Sequence, residues 1–116
     1  MMKAGSLRTI AVLTLAACAL TQARADTKSE IRIGQTLPYS GPLSGFGMIG
    51  RVQEAYFEKI NAEGGINGRK IKFISMDDAY SPPKTVEHTR KLVEQDEVQV
   101  MFASLGTATN NAVHRY

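Results

Sequence analysis

Cysteine is almost absent from this sequence, in which Cys18 is the single cysteine among 116 residues. A chain with one cysteine forms no internal disulfide, so its fold must hold by packing alone. Histidine is nearly as scarce, and His88 and His114 stand singly. Because neither has a partner at the spacing of a zinc site or a catalytic set, we expect a protein that is not an enzyme and holds no metal.

Long apolar runs are missing as well, because the run at residues 9–17 falls short of the roughly 20 apolar residues that a membrane-spanning helix needs. Lys3 and Arg8 precede this run, and Ala23-Arg24-Ala25 follows it as a small-x-small cleavage signal. The pattern is typical of an export signal peptide. We therefore expect residues 1–25 to be removed on export, so that the mature chain begins at Asp26.

A second processing pattern overlaps the first. Leu15-Ala16-Ala17-Cys18 resembles the lipobox of bacterial lipoproteins, in which cleavage before the cysteine leaves a lipid-anchored residue. The two patterns predict different products, one that begins at Asp26 and one that is anchored through Cys18. In both cases residues 26–116 would form the folded part.

An excess of charge of one sign is also lacking. Three of the 14 basic residues lie within residues 1–25, and the remaining 11 equal the 11 acidic residues in number. Charges of both signs are interspersed along residues 26–116, which argues against a nucleic-acid-binding surface.

What the sequence does contain is an alternation of strand and helix patterns, separated by turn signals such as Gly64-Gly65 and Asn67-Gly68. This alternation predicts an α/β fold in which helices flank a parallel sheet. The predicted elements are strands at residues 31–37, 70–76 and 98–102, helices at residues 47–63 and 81–95, and a third helix that begins near Gly106 and Thr107.

The first predicted helix has an amphipathic pattern. Val52, Ala55, Tyr56 and Ile60 recur at helical spacing, while charged residues fall elsewhere. These four residues therefore predict the apolar face of the helix.

In open parallel sheets, ligands bind outside the carboxyl ends of the strands. Three segments occupy those ends: the first loop, residues 39–47, the second loop, residues 77–80, and the third loop, residues 104–109. A helix that begins within the third loop would present free backbone N–H groups to an anion. Ser104 and Thr107 add hydroxyl groups there, although both residues are also suited to capping the helix.

Two further features of these loops have alternative interpretations. Phe46, among the glycines of the first loop, either packs in the core under the helix or forms an apolar wall of a ligand cleft. The acidic pair Asp77-Asp78 favours hydrogen bonds to backbone N–H groups of its own loop over contact with a ribose.

The stretch Gly45-Phe-Gly-Met-Ile-Gly50 matches the dinucleotide fingerprint G-x-G-x-x-G. In the nucleotide-binding fold the first glycine follows the strand almost directly, whereas residues 38–44 intervene here. We therefore expect no cofactor. An exported or cytosolic nucleotide-dependent α/β enzyme is the alternative hypothesis.

Four stretches, taken together and in this order, resemble one family: residues 37–47, residues 60–69, Asp77-Asp78 and residues 106–110. They are similar to the periplasmic substrate-binding proteins of branched-chain amino acid (leucine/isoleucine/valine) ABC transporters. The run Asn-Ala-Glu-Gly-Gly-Ile-Asn-Gly within the second stretch is the most characteristic piece.

The resemblance implies a type I periplasmic binding protein with two lobes, which closes on a small solute and delivers it to a membrane permease. Residues 26–116 would be the first part of the N-terminal lobe of a longer protein. The resemblance assigns ligand contacts to one apolar side chain of the first loop and to four residues of the third: Phe46, Ser104, Leu105, Gly106 and Thr107.

The resemblance leaves the ligand open. Leucine-binding members can carry a disulfide near these loops, whereas this chain has Tyr80 and Leu105 at the equivalent places, which indicates a divergent branch. The acid that binds an ammonium group would lie in the second lobe. Amino acids, amides, urea-like compounds and aromatic acids are all compatible, and a sensory ligand-binding domain of the same fold is a further alternative.

Overall fold

The computed structural model describes residues 30–116. The expected signal peptide at residues 1–25 and the lipidation pattern at Cys18 lie outside the described residues.

Strands and helices alternate in the described chain as the sequence predicts. The strands are β1, Glu30–Leu37, β2, Lys70–Asp77, and β3, Val100–Met101. The helices are α1, Gly47–Ala62, α2, Pro82–Arg90, and α3, Thr107–Val113. A 3₁₀ turn at Ser44–Phe46 leads into α1, and α2 continues as a π-helical segment, Lys91–Gln95.

The sheet is parallel, with the strand order β2-β1-β3. β1 pairs with β2 along its whole length, from Glu30 opposite Lys70 to Leu37 opposite Asp77. Because β1 is central, its carboxyl end lies between the ends of the other two strands. The predicted α/β class and parallel sheet with flanking helices are therefore confirmed, and the three loops follow the same edge of the sheet.

The third strand is shorter than the predicted range 98–102. Its ladder is limited to Val100–Met101, although the amide of Phe102 still donates to the carbonyl oxygen of Gly34 at 2.8 Å. Just before the strand, Glu97 has a φ of 53°, which turns the chain out of the extended conformation. The amide of Gln99 also donates to the carbonyl oxygen of Arg32 at 2.9 Å, so hydrogen bonds to β1 flank the short ladder on both sides.

The helix α1 packs on the sheet with a face that differs from the predicted one. Val52 and Tyr56 are each 60% exposed, whereas Gly47 and Gly50 are buried. Phe57 packs its ring against Phe73 of β2, with the ring centroids 5.1 Å apart. The predicted face is wrong because the small glycines let the helix backbone approach its neighbours closely, and this approach sets the rotation of the helix.

The core of the described chain is small and contains many polar side chains. The buried large apolar residues are Leu37, Ile71 and Leu92, and the buried polar ones are Gln35, Thr36, Asp78, Thr85, Thr89 and Thr109. Several large apolar side chains remain exposed, on α1 and near β3. Within residues 30–116, no helix has the length and apolar character needed to cross a membrane.

Candidate functional site

The first and second loops are joined by the carboxylate of Asp77, the last residue of β2. Its Oδ1 accepts hydrogen bonds from the amides of Tyr39 at 2.8 Å, Ser40 at 3.1 Å and Ala79 at 2.9 Å. Two of these amides belong to the first loop and one to the second. The expectation that this acidic residue satisfies backbone N–H groups is confirmed.

These contacts hold the pKa of Asp77 well below its ordinary value. Burial acts to raise the pKa, but hydrogen bonds from the Ser40 side chain and from the amides of Ala79, Tyr39 and Ser40 stabilise the carboxylate, and the pKa falls from 3.8 to about 2. The ionised form is therefore the one that fits the folded loops.

The low pKa of Asp77 predicts an acid-dependent loss of stability. Because the folded-state pKa lies below the unfolded one, the stabilisation is complete above about pH 4 and is lost as the pH falls through about 2. We expect the free energy of unfolding, measured by urea titration at several pH values, to fall across this window. In Asp77→Asn the free energy of unfolding should depend less steeply on pH in this window.

Asp96→Asn is the matched control for this measurement, because Asp96 is paired with Lys91 at 2.8 Å and is not part of the three loops. This variant should keep the acid-dependent loss that Asp77 causes. An equally steep fall in wild type and Asp77→Asn would contradict the role assigned to Asp77.

The second loop has an unusual backbone. Ala79 and Tyr80 both have positive φ values, 48° and 61°, which non-glycine residues rarely adopt. The carboxylate of Asp78 supports this conformation: its Oδ1 accepts from the Tyr80 amide at 2.8 Å, and its Oδ2 accepts from the Thr85 hydroxyl at 3.0 Å. Residues held in such conformations are concentrated at functional sites.

The third loop is attached to the end of β1. The amide of Thr36 donates to the Ser104 hydroxyl at 3.2 Å, and the amide of Leu105 donates to the Thr36 carbonyl oxygen at 3.3 Å. The capping alternative for Ser104 and Thr107 is therefore wrong, because the N-cap of α3 is Gly106 and no side chain within residues 30–116 caps the helix. The hydroxyl of Ser104 fixes the loop to the sheet instead.

Gly106 lies where the second and third loops touch. Its φ of 113° and ψ of 135° belong to a region that is essentially restricted to glycine. A Cβ atom at this position would lie 2.5 Å from both Tyr80 Cε2 and Thr109 Oγ1. The Tyr80 ring therefore packs directly on the Gly106 backbone, just before the first turn of α3.

The remaining predicted residues lie at the surface of the loops. Thr107, the first residue of α3, is exposed. Phe46 is 47% exposed and lines a shallow apolar pocket of about 240 Å³ with Pro42, Leu43 and Gly45. The core-packing alternative for Phe46 is therefore wrong, and its ring is available to a ligand.

The structure gives the glycines of the G-x-G-x-x-G match a packing role. A Cβ at Gly47 would lie 2.8 Å from Tyr39 Cδ1, and one at Gly50 would overlap the Tyr39 phenol oxygen. Both glycines thus make room for a side chain of the first loop. A Cβ at Gly45 would meet no described atom within 4 Å.

Residues 30–116 match the periplasmic binding protein family. The chain belongs to this family. An amino acid binding protein of Pseudomonas aeruginosa is 36% identical over 87 residues, which are 74% of this chain and 23% of that protein. The predicted resemblance is confirmed, and the family is one of binding proteins, in agreement with the expectation of a protein that is not an enzyme.

Two solved structures extend the comparison. The solute-binding protein of an ABC transporter from R. palustris, in complex with benzoate, has a TM-score of 0.62 and 32% identity, over 74% of this chain and 24% of that one. The branched-chain amino acid transporter substrate-binding protein of Streptococcus pneumoniae, in complex with isoleucine, has a TM-score of 0.66 and 26% identity, over 72% and 24%. This chain thus spans about a quarter of the length of the relatives it matches.

Within this periplasmic binding protein fold, sequence reasoning misses residues that hold the loops together. It treats Tyr80 only as a departure from leucine-binding members, yet the Tyr80 ring packs on Gly106. It does not single out Gln35, although this residue is fully buried in β1. The sequence carries no distinct signal for Gln35, because Glu30, Arg32 and Thr36 of the same strand are polar as well.

Proposed function

We propose that this protein is an extracytoplasmic solute-binding protein that captures a small solute bearing a carboxylate, such as an amino acid, and delivers it to the permease of an ABC transporter. The ligand would bind at the edge formed by the three loops. Its carboxylate would contact Ser104, Leu105, Gly106 and Thr107, and its apolar part would contact Phe46.

The observation that carries this proposal is the match of residues 30–116 to the periplasmic binding protein family, on a sheet whose three loops share one edge. The third loop supports the place of the carboxylate. Gly106 is half-buried and directly precedes the first turn of α3, and the exposed Thr107 adds a hydroxyl group. Backbone N–H groups and hydroxyls are the donors that a carboxylate accepts from.

The proposed ligand class rests on what the relatives bind. Isoleucine and benzoate, the ligands of the two solved structures, share a carboxylate and otherwise differ in shape and charge. The shared group would be bound by the third loop, which lies in this chain. The rest of the ligand would be selected by other parts of the full-length protein.

We further propose that residues 26–116 form the first part of the N-terminal lobe, and that a second lobe closes over the loops. The exposed apolar side chains on α1 and near β3, among them Val52, Tyr56 and Phe102, support a larger assembly because they offer surface for further packing. Residues 1–25 would direct export to the periplasm. The N-terminus of the native product would separate cleavage before Asp26 from lipidation at Cys18.

Calorimetric titration of the full-length protein tests the function. We expect saturable one-to-one binding of at least one member of a panel that contains L-isoleucine, other amino acids and benzoate, with the corresponding amides and alcohols as controls lacking the carboxylate. Preference for the amides would overturn the carboxylate assignment. No binding across the whole panel would overturn the proposed function.

Thr107 provides a mutational test of the same site. Thr107→Val removes the hydroxyl and keeps the shape, so we expect ligand affinity to fall at least about tenfold, since a hydrogen bond to a charged group contributes about 1.5–3 kcal/mol. The melting temperature should change little, because Thr107 is exposed and is not the N-cap. Thr107→Ser keeps the hydroxyl and should bind like wild type; equal losses in both variants would rule out a role for the hydroxyl.

A further inference from the structure

The side chain of Gln35 is the centre of a buried hydrogen-bond network beneath the candidate site. Gln35 is 0% exposed. Its Nε2 lies 2.7 Å from Gln53 Oε1 of α1 and 3.1 Å from each of the carbonyl oxygens of Phe102 and Ala103. One side chain of the central strand thus contacts a helix and the segment that leads into the third loop.

The orientation of this amide follows from its partners. The carbonyl oxygens of Phe102 and Ala103 can only accept hydrogen bonds, so the Gln35 atom that faces them must be the donating nitrogen. The opposite atom, Oε1, accepts from the Ser75 hydroxyl at 3.0 Å. The amide therefore cannot be reversed without losing these contacts.

The network extends to the first loop through Ser75. The phenol oxygen of Tyr39 lies 2.6 Å from Ser75 Oγ. Because the single hydroxyl proton of Ser75 is donated to Gln35, the Tyr39 hydroxyl donates to Ser75. A directed chain of hydrogen bonds thus runs from Tyr39 through Ser75 and Gln35 to the carbonyl groups that precede the third loop.

We propose that Gln35 is a positioning residue for ligand binding, which holds the third loop in place relative to the first through this buried network. The inference rests on the proposed function, since it concerns the same site. Gln35 is fully buried and would not contact the ligand itself. It acts through the backbone of Phe102 and Ala103, immediately before Ser104.

The backbone at Ala103 explains why such a support is needed. Ala103 has a φ of 51°, a left-handed conformation that is unfavourable for alanine. A hydrogen bond from Gln35 to its carbonyl oxygen at 3.1 Å holds the chain in this turn. Without it, the segment could relax and carry the amides of Gly106 and Thr107 away from their positions.

Gln35→Glu is the test variant, because it keeps the shape and the acceptor for Ser75 but removes the two N–H donors. As a carboxylate the new side chain would place an oxygen against two carbonyl oxygens, and as a carboxylic acid it could donate a single hydrogen bond. Asn61→Asp is the matched control: Asn61 Nδ2 donates to the carbonyl oxygen of Ile71 at 2.7 Å, and its Oδ1 accepts from the Ile71 amide at 2.7 Å. The control makes the same chemical change between α1 and β2, at the end of the sheet opposite the loops.

Two quantities are measured on the full-length proteins. Hydrogen exchange of peptides covering residues 100–107, without ligand, reports the position of the loop. Titration with L-isoleucine, benzoate or another amino acid of the panel, whichever binds wild type, reports affinity. We expect the amides of this segment to exchange faster in Gln35→Glu than in wild type. We also expect its ligand affinity to fall about tenfold or more, because buried hydrogen bonds are removed. Asn61→Asp should be near wild type in both quantities.

The outcomes separate the positioning role from general destabilisation. Equal affinity losses in Gln35→Glu and Asn61→Asp at equal melting temperatures would overturn the proposal, and so would unchanged exchange of the loop in Gln35→Glu. Faster hydrogen exchange of residues 100–107 in Gln35→Glu, together with wild-type affinity for the ligand, would overturn it as well. A wild-type protein that binds no member of the panel of amino acids and benzoate is a failure of the proposed function, visible before any variant is made.

Ser75→Ala keeps the inference testable if Gln35→Glu does not fold. This variant breaks only the link between Tyr39 and Gln35, and leaves the donors to Phe102 and Ala103 intact. We expect a smaller loss of affinity than for Gln35→Glu, of about two- to fivefold, as for the loss of one hydrogen bond. Affinity equal to that of wild type would show that the network does not connect the two loops.

Discussion

Gly106→Ala is expected to lower the free energy of unfolding by at least about 3 kcal/mol, through backbone strain and overpacking together. The alanine would be placed in a conformation, φ 113° and ψ 135°, that suits only glycine. Its Cβ would also press on the Tyr80 ring and the Thr109 hydroxyl, 2.5 Å from each. Urea unfolding measures the loss, and ligand affinity should fall with it because the start of α3 must shift.

Gly64→Ala separates the two causes. Gly64 has a similar φ of 107°, but a Cβ there would meet no described atom within 4 Å. We expect this control to lose only about 1–2 kcal/mol, from the backbone alone. If the two variants were equally stable, the contact between Tyr80 and Gly106 would not constrain the loop.

Gly50→Ala is expected to cause the second large loss in the free energy of unfolding, near the upper end of the ~1–3 kcal/mol that overpacking costs. The new methyl group would overlap the Tyr39 phenol oxygen and lie 2.8 Å from Cδ1 of Leu37, which is fully buried. Replacing glycine by alanine within a helix stabilises the helix by about 1 kcal/mol. This gain is offset by the loss of the hydrogen bond between Tyr39 and Ser75, which costs about as much. Thermal unfolding followed by circular dichroism would detect the difference.

Gly45→Ala is the control for this second effect. Gly45 lies in the 3₁₀ turn just before α1, and a Cβ there would meet no atom of the described chain within 4 Å. We expect a change in stability of less than about 1 kcal/mol, in either direction. A Gly50→Ala protein as stable as Gly45→Ala would mean that α1 can move away from Tyr39 without cost.

The order of strands and helices could be predicted from the sequence because local signals determine it. Asn67-Gly68 predicts a tight turn, and the structure has φ values of 51° and 76° at these two residues. The predicted helix at residues 47–63 ends at Ala62 in the structure. Such features depend on the backbone preferences of a few neighbouring residues, which the sequence displays directly.

The rotation of α1 could not be predicted in the same way. The apolar pattern favours Val52 and Tyr56 as the buried face, but the position of the helix is set by Tyr39, which packs against Gly47 and Gly50. That contact joins residues from the first loop and the helix across a turn. The apolar periodicity of the helix alone therefore gives no sign of the contact with Tyr39.

The position of the three loops at one edge of the sheet could be predicted from the sequence, whereas the contacts that build them could not. The strand ends indicate ligand binding at the three loops, and the position of Asp77 after a strand indicates an acceptor of backbone hydrogen bonds. The positive φ values at Ala79, Tyr80 and Ala103 had no sequence signal, because none of these residues is a glycine or an asparagine. They depend on hydrogen bonds and packing between distant segments.

The proposed carboxylate site is tested by the amide spectrum of full-length protein labelled with ¹⁵N-glycine, recorded during titration with the solute that binds. We expect the Gly106 amide resonance to shift and to reach saturation at one equivalent of solute, since this amide lies at the proposed carboxylate site. The amides of Gly64 and Gly68, which precede β2 at the opposite end of the sheet, should not move. Saturable binding that leaves the Gly106 amide unchanged would contradict the site.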